Sequence, residues 1–204
     1  MSKNSFDVLI VGAGPAGIFA ALELSQWANL RVGILDKGPD IDRRRCPARE
    51  PSGKCRNCQP CAILTGWGGA GAFSDGKLTL SPAVGGHLPE IQGEDQTDQL
   101  VRQVDEIYLS YGAPAPVHGV RNDEIEQLEK RAALAGLRFV SVPIRHIGTE
   151  RCVKIMRRMR DALLQQGVTI RTRTPVSRIL TANGHAEGAK SRHEKTGCNR
   201  AHLG

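Results

Sequence analysis

The sequence predicts an α/β fold organised on a parallel sheet, and three neighbouring observations carry that expectation. Val8 to Val11 form an unbroken apolar run, as a strand buried on both faces requires. Gly12, Gly14 and Gly17 follow in G-x-G-x-x-G spacing and open a segment whose apolar face continues through Ala21 and Leu24. A second strand, Arg31 to Leu35, then ends in the acid Asp36.

Each residue of this βαβ unit has a physical task. Gly12 allows the sharp turn, Gly14 lets backbone approach a pyrophosphate, and Gly17 lets helix pack closely on strand. The helix aims its free N–H groups and the positive end of its dipole at the same phosphate. Asp36 lies 24 residues after Gly12, where a carboxylate can accept hydrogen bonds from a ribose diol. The glycine spacing alone is weak, but here strand, turn, helix, strand and acid occur together, giving a Rossmann-like dinucleotide site.

Further elements follow at helical and strand spacing. Asp95 to Tyr111 is an amphipathic helix stopped at Gly112. Asp123 to Ala135 is a second, with Asn122 as N-cap and Gly136 as stop. Leu137 to Val142 reads as a strand. Thr149 suits the N-cap of a helix running to Gln166, and Val168 to Arg173 is the next strand.

The block "GWGGAGAFSDGKL" is the second dense feature. Gly68, Gly69 and Gly71, flanking Ala70, carry no β-carbon, and this backbone can pass close to a flat ligand or its phosphates. Ser74-Asp75-Gly76 is a turn signal, and Lys77 follows it. Lys77 would set a cation beside such a ligand; the plain alternative is a packing turn with Lys77 in solvent.

"GAGPAG", with Pro15 and Ala16, followed by "ILDKG", with Lys37, resembles the fingerprint of FAD-binding oxidoreductases more than that of NAD dehydrogenases. "RRRCP", the C-x-x-C-x-x-C run, "GGAGAFSDGK" and "RHIGTE" extend the resemblance to bacterial FAD-dependent dehydrogenases of largely unassigned substrate, from about Phe6 to about Leu180. The resemblance implies a flavoprotein with an FAD-binding Rossmann part and an inserted substrate domain. It also implies hydride or electron transfer through the flavin, NAD(P)H as a candidate reductant, and a small-molecule substrate or electron carrier. It places the backbone near Val176 at the adenine, and Arg145 and His146 toward the active site. Lys77 and His146 are the catalytic candidates; a lone histidine is more often a structural donor.

The expected organisation is an FAD-binding segment over 1–85, a helical insertion over 86–145 that starts the substrate domain, and a return segment over 146–181. Residues 182–204, rich in Gly, His, Lys and Arg without hydrophobic periodicity, are expected to be disordered and foreign to the family. The late strands that the resemblance calls for are missing, so the chain reads as an incomplete, truncated or frame-shifted member. An NAD(P)-binding dehydrogenase and a non-catalytic nucleotide-binding remnant are the alternatives.

Cys46, Cys55, Cys58 and Cys61 form C-x8-C-x2-C-x2-C. The run matches the ligand spacing of a [4Fe–4S] site, with zinc as a second metal. Redox-active thiols beside the flavin, and plain reduced cysteines in a loop, are equally open, because spacing alone does not choose.

The formal charge of +7 is spread over separate clusters, including Arg43 to Arg45, and accompanies no nucleic-acid-binding motif. The 4% aromatic content argues against a base-stacking surface. No segment approaches the roughly 20 apolar residues of a membrane span. Neither a nucleic-acid nor a membrane partner is therefore expected, and a cytoplasmic location is. Oligomeric state is not legible.

Overall fold

The computed structural model describes residues 5–27, 29–49 and 53–191, together with the backbone of 195–198 and 201–203. Its elements begin β1 (Ser5–Phe6), β2 (Val8–Val11), α1 (Pro15–Leu24) and β3 (Val32–Leu35). They continue with β4 (Lys77–Thr79), α2 (Leu88–Gln92), α3 (Glu94–Ser110), α4 (Asp123–Leu134), β5 (Ile144–His146) and α5 (Thr149–Gln165). The last are β6 (Thr169–Arg171), β7 (Val176–Ala182), β8 (His185–Ser191), β9 (Lys195–Cys198) and β10 (Ala201–Leu203). Two units emerge, Met1–Phe73 with Cys152–Gly204, and Ser74–Arg151.

The first unit holds a parallel sheet in the order β10-β2-β3-β6. Val8 pairs with Val32 and Gly33 with Thr169, so β2 and β3 are flanked on both sides and their apolar runs are buried. Leu9, Ile10, Ile18, Ala21 and Ile34 are completely buried, as are Met159 and Leu163 of α5. Gly33 is required by packing: a β-carbon there would lie 2.9 Å from the Phe6 ring. Phe6, Leu9, Leu35 and Ala189 form a core cluster, against which Val176 packs.

A second sheet, β1-β9-β8-β7, carries the hairpin β7–β8. The expectation of disorder from residue 182 is corrected here. Asn183 and Gly184 adopt positive φ of 50° and 77°, the geometry of a two-residue hairpin turn, and Asn-Gly is a strong signal for it. Small residues hide the pattern, since Gly188, Ala189 and Ser191 are buried without being strongly hydrophobic. Residues 192–194, 199, 200 and 204 lie outside the described residues. The backbone of β10 nevertheless runs parallel to β2, a strand that the sequence reading did not anticipate.

In the second unit, Asn122 caps α4 by accepting from the Ile125 amide at 2.9 Å, as expected. Leu137 to Val142 is not a strand. Leu137 and Val140 are exposed, and the bridging residue is Ile144, which pairs with His118. β-forming side chains without a neighbouring strand do not make a ladder. Thr149 opens α5 rather than preceding it, and its hydroxyl donates to the Ser74 carbonyl at 2.8 Å instead of capping. No helix among the described residues is long and apolar enough to cross a membrane.

Candidate functional site

The glycine turn lies where β2 ends. Gly12, at φ 111°, donates to the Leu35 carbonyl at 2.8 Å and turns the chain. Gly14 is the N-cap of α1 in extended geometry, without a side-chain cap, and Pro15 stands in the first turn. The first helical hydrogen bond is Ile18 N–H to the Gly14 carbonyl, so the Ala16 and Gly17 amides precede the helical ladder. The three glycines then separate by cause. A β-carbon on Gly17 would sit 2.1 Å from the Gly12 oxygen, so helix packing requires that glycine. Gly14, at φ −74°, has an ordinary backbone, and a β-carbon there would meet nothing within 4 Å among the described residues. Its missing side chain leaves open space at the positive end of α1, which favours an anion.

Asp36 closes β3 and is 8% exposed. Its Oδ2 accepts from the Ala13 amide at 2.8 Å and its Oδ1 from the Gly38 amide at 2.7 Å. The acid thus braces the glycine turn, and each oxygen retains accepting capacity. The chain after β6 docks alongside: Thr174 N–H donates to the Asp36 carbonyl and Arg173 N–H to that of Gly38, both at 2.7 Å. Val11, Gly12, Leu35, Asp36, Lys37, Thr174, Pro175 and Val176 line a cleft of about 290 Å³ at the C-terminal ends of β2 and β3. A cleft of about 340 Å³ in the other unit, bordered by Pro82, Glu90 and Glu94, gathers none of the expected site residues.

The second glycine block meets the same turn. Gly68 N–H donates to the Ala13 carbonyl at 2.7 Å. A β-carbon on Gly69 would lie 3.0 Å from the Gly14 α-carbon. Gly68 and Gly69 both have positive φ, and Ala70–Phe73 winds into one 3₁₀ turn. Gly12, Gly14, Pro15, Ala16, Gly17, Asp36, Lys37, Val176 and the Gly68–Gly71 loop therefore come together within the first unit.

Two residues supporting this loop were not anticipated. Trp67 is completely buried and its Nε1 donates to the Met156 carbonyl at 2.7 Å. Arg44, the middle residue of the Arg43–Arg45 cluster, is buried among carbonyl oxygens. A tryptophan set between glycines was a readable anchor signal; nothing in "RRR" distinguished the middle arginine.

The catalytic candidates lie in the other unit. Lys77 and His146 are register partners across the β4–β5 ribbon, and both are exposed. Lys77 Nζ pairs with Asp75 at 2.9 Å, holding that carboxyl below its usual range. Arg145 does not face an open site: it is 4% exposed, forked onto Asp105 at 2.6 and 2.7 Å, and donates to the Pro114 and Ala115 carbonyls.

The cysteines are not gathered. Cys55 and Cys58 are exposed on a stretch without regular secondary structure, while Cys46 and Cys61 are half-buried. Among the described residues no three His, Cys, Asp or Glu side chains come together to hold a metal ion, so the expected Cys46, Cys55, Cys58 and Cys61 ligand set is not assembled. Residues 54–60 are exposed and without regular secondary structure, so nothing in the local fold holds Cys55 and Cys58 toward Cys46 and Cys61. The Ile63 and Leu64 amides donate to the Cys61 sulfur and, with nearby Arg44, hold its pKa below the ordinary value.

Comparison with known proteins agrees with this geometry. Residues 7–42 match the FAD binding domain family, covering the strand, glycine turn, helix, second strand and Asp36. An uncharacterized protein of Clostridium beijerinckii is 26% identical over 179 residues, which is 88% of this chain and 27% of that protein. The 3-ketosteroid-Δ4-(5α)-dehydrogenase of Rhodococcus jostii superimposes with a TM-score of 0.59 at 16% identity, over 100% of this chain and 46% of that one. Glycine oxidase of Bacillus cereus superimposes with a TM-score of 0.51 at 13% identity, over 97% of this chain and 54% of that one. The chain thus spans about a quarter of the curated relative and about half of the solved structures. The architecture is a Rossmann-like α/β fold shared with these solved structures, and residues 7–42 of its first unit are the part that matches the FAD binding domain family.

Proposed function

We propose that this chain is the FAD-binding part of an oxidoreductase that acts on a small-molecule substrate or electron carrier. The observation carrying the reading is Gly14: neither backbone conformation nor packing explains its missing side chain, and it opens onto the N-terminus of α1. The residues present fit the cofactor. The pyrophosphate would lie against Gly12, Gly14, Pro15, Ala16 and Gly17, and the adenosine in the cleft of Asp36, Lys37 and Val176. The Gly68–Gly71 backbone would border the flavin side, because it abuts the phosphate turn.

Bound flavin supplies hydride or electron acceptance, and the protein supplies binding, orientation and electrostatics. Lys77 and His146, facing each other across one ribbon, are the proposed pair from the second unit. The solved relatives are named for a ketosteroid and for glycine, which differ too widely to select a substrate. The test is the absorbance spectrum of the purified chain after incubation with FAD and gel filtration. Retained flavin is expected; a colourless protein that binds NAD(P)H instead would overturn the reading.

A further inference from the structure

We propose that Arg44 is the positioning residue of the flavin-side loop, a keystone whose loss weakens FAD while leaving the adenosine end intact. The inference rests on the FAD reading above.

Arg44 follows a short 3₁₀ turn at Ile41–Arg43 and is 5% exposed. Its guanidinium meets three backbone carbonyls: Nε donates to Ala62 at 2.8 Å, Nη2 to Ile63 at 2.6 Å and Nη1 to Trp67 at 2.7 Å. The ring of Phe73 lies 4.5 Å from its central carbon. These partners bracket residues 62–73, the stretch that contains Gly68, Gly69, Ala70 and Gly71. Burial lowers the Arg44 pKa to about 10, so the group stays cationic at neutral pH.

A buried cation hydrogen bonded to neutral carbonyl oxygens is costly unless its geometry is fully used. Here it is used on one object. A β-carbon on Gly66, at φ 106°, would lie 2.2 Å from the Pro39 carbonyl oxygen and 3.2 Å from the Arg44 Cδ, so this turn packs tightly on both residues. Trp67 N–H donates to the Pro39 carbonyl at 3.1 Å, and a β-carbon on Gly38 would lie 2.3 Å from the Gly66 nitrogen. The loop backbone is thereby pinned on the turn that follows Asp36, and from there Gly68 reaches the Ala13 carbonyl. A loop made of glycines has little conformational preference of its own. Its shape must come from outside, and Arg44 supplies three of its fixed points. Lysine cannot replace it, because one ammonium lacks the planar fork that meets separated acceptors and stacks on a ring.

Two ligands separate the loop from the rest of the site. ADP engages the adenosine cleft and the phosphate turn, whereas FAD also needs the Gly68–Gly71 loop. In Arg44→Lys, which removes charge-assisted hydrogen bonds to the loop, FAD affinity is expected to fall about tenfold or more, while ADP affinity stays within about twofold. Phe73→Leu, which removes the stacking ring and keeps the cation, shifts the same ratio less. Equal losses for both ligands, or no loss for either, overturn the proposal, since a merely structural role moves FAD and ADP together. If the unaltered chain binds ADP but not FAD, the FAD reading fails. Hydrogen exchange then decides the clamp by itself: Arg44→Lys should speed the Trp67 and Gly68 amides and leave those of Val8–Val11 unchanged, and unchanged exchange throughout refutes it.

Discussion

Gly14→Ala separates ligand approach from folding. At φ −74° and ψ 178° alanine is an allowed residue, and its methyl group meets nothing within 4 Å among the described residues. Alanine reduces the entropy of the unfolded chain, a gain of about 0.4–1 kcal/mol. It is a poorer N-cap than glycine, a cost of about 0.5–1 kcal/mol. The two offset, and apo stability in urea should change by less than about 1 kcal/mol. The same methyl occupies the space through which the turn would meet the pyrophosphate, so FAD affinity should drop at least about tenfold, equivalent to about 1.4 kcal/mol. Chemical denaturation of the apo chain and titration of flavin fluorescence read the two quantities separately. FAD binding unchanged in Gly14→Ala would refute the argument, because an open glycine unrelated to the ligand predicts that result. A large loss of apo stability would refute its other half.

Gly17→Ala inverts this pattern. Its β-carbon would fall 2.1 Å from the Gly12 oxygen, so apo stability should drop by about 1–3 kcal/mol or more, read as a lower urea midpoint; an unchanged midpoint contradicts the packing assigned to α1. Asp36→Asn leaves the Ala13 or Gly38 amide facing an NH₂ group instead of an acceptor. A stability loss of about 1–3 kcal/mol is expected in the same assay, and a neutral result would show that the brace carries no weight. Asp7, forked by Arg31, has its pKa lowered to about 2. A depressed folded pKa adds stability above the unfolded value of about 3.9 and loses it as pH falls toward about 2. Asp7→Asn should therefore flatten the acid limb of a stability–pH profile while leaving its neutral plateau little changed in shape; an identical acid limb contradicts the pairing.

The residues legible in the sequence share one property: their partners follow from local rules. Val8–Val11, the glycine spacing and Asp36 belong to one βαβ unit, whose geometry fixes what each faces. Spacing could not divide Gly14 from Gly17, because both satisfy the same pattern and differ only in what a β-carbon would touch. Asn183-Gly184 was legible and was overshadowed by composition, since small buried residues such as Ala189 do not stand out as hydrophobic. The cysteine spacing described a ligand set, but spacing in an irregular loop does not bring the thiols to one point, and among the described residues they are not gathered. Lys77 and His146 were each readable as candidates, yet their opposition depends on the register of two strands far apart in the chain.

Arg44 is the strongest case of this limit. Its neighbours Arg43 and Arg45 are exposed and present the same chemistry to any compositional rule. What distinguishes it is a set of backbone carbonyls 18, 19 and 23 residues away, and backbone oxygens leave no mark in a sequence. Asp36 reaches an equally distant partner, Ala13, at a separation of 23. That hydrogen bond was within reach of inference because a strand–turn–helix–strand unit carries it, whereas those of Arg44 run to an irregular loop. The difference between the two residues is thus one of scaffold rather than distance. A charge becomes readable when regular structure transmits its position, and Arg44 is held by the part of the site that has none.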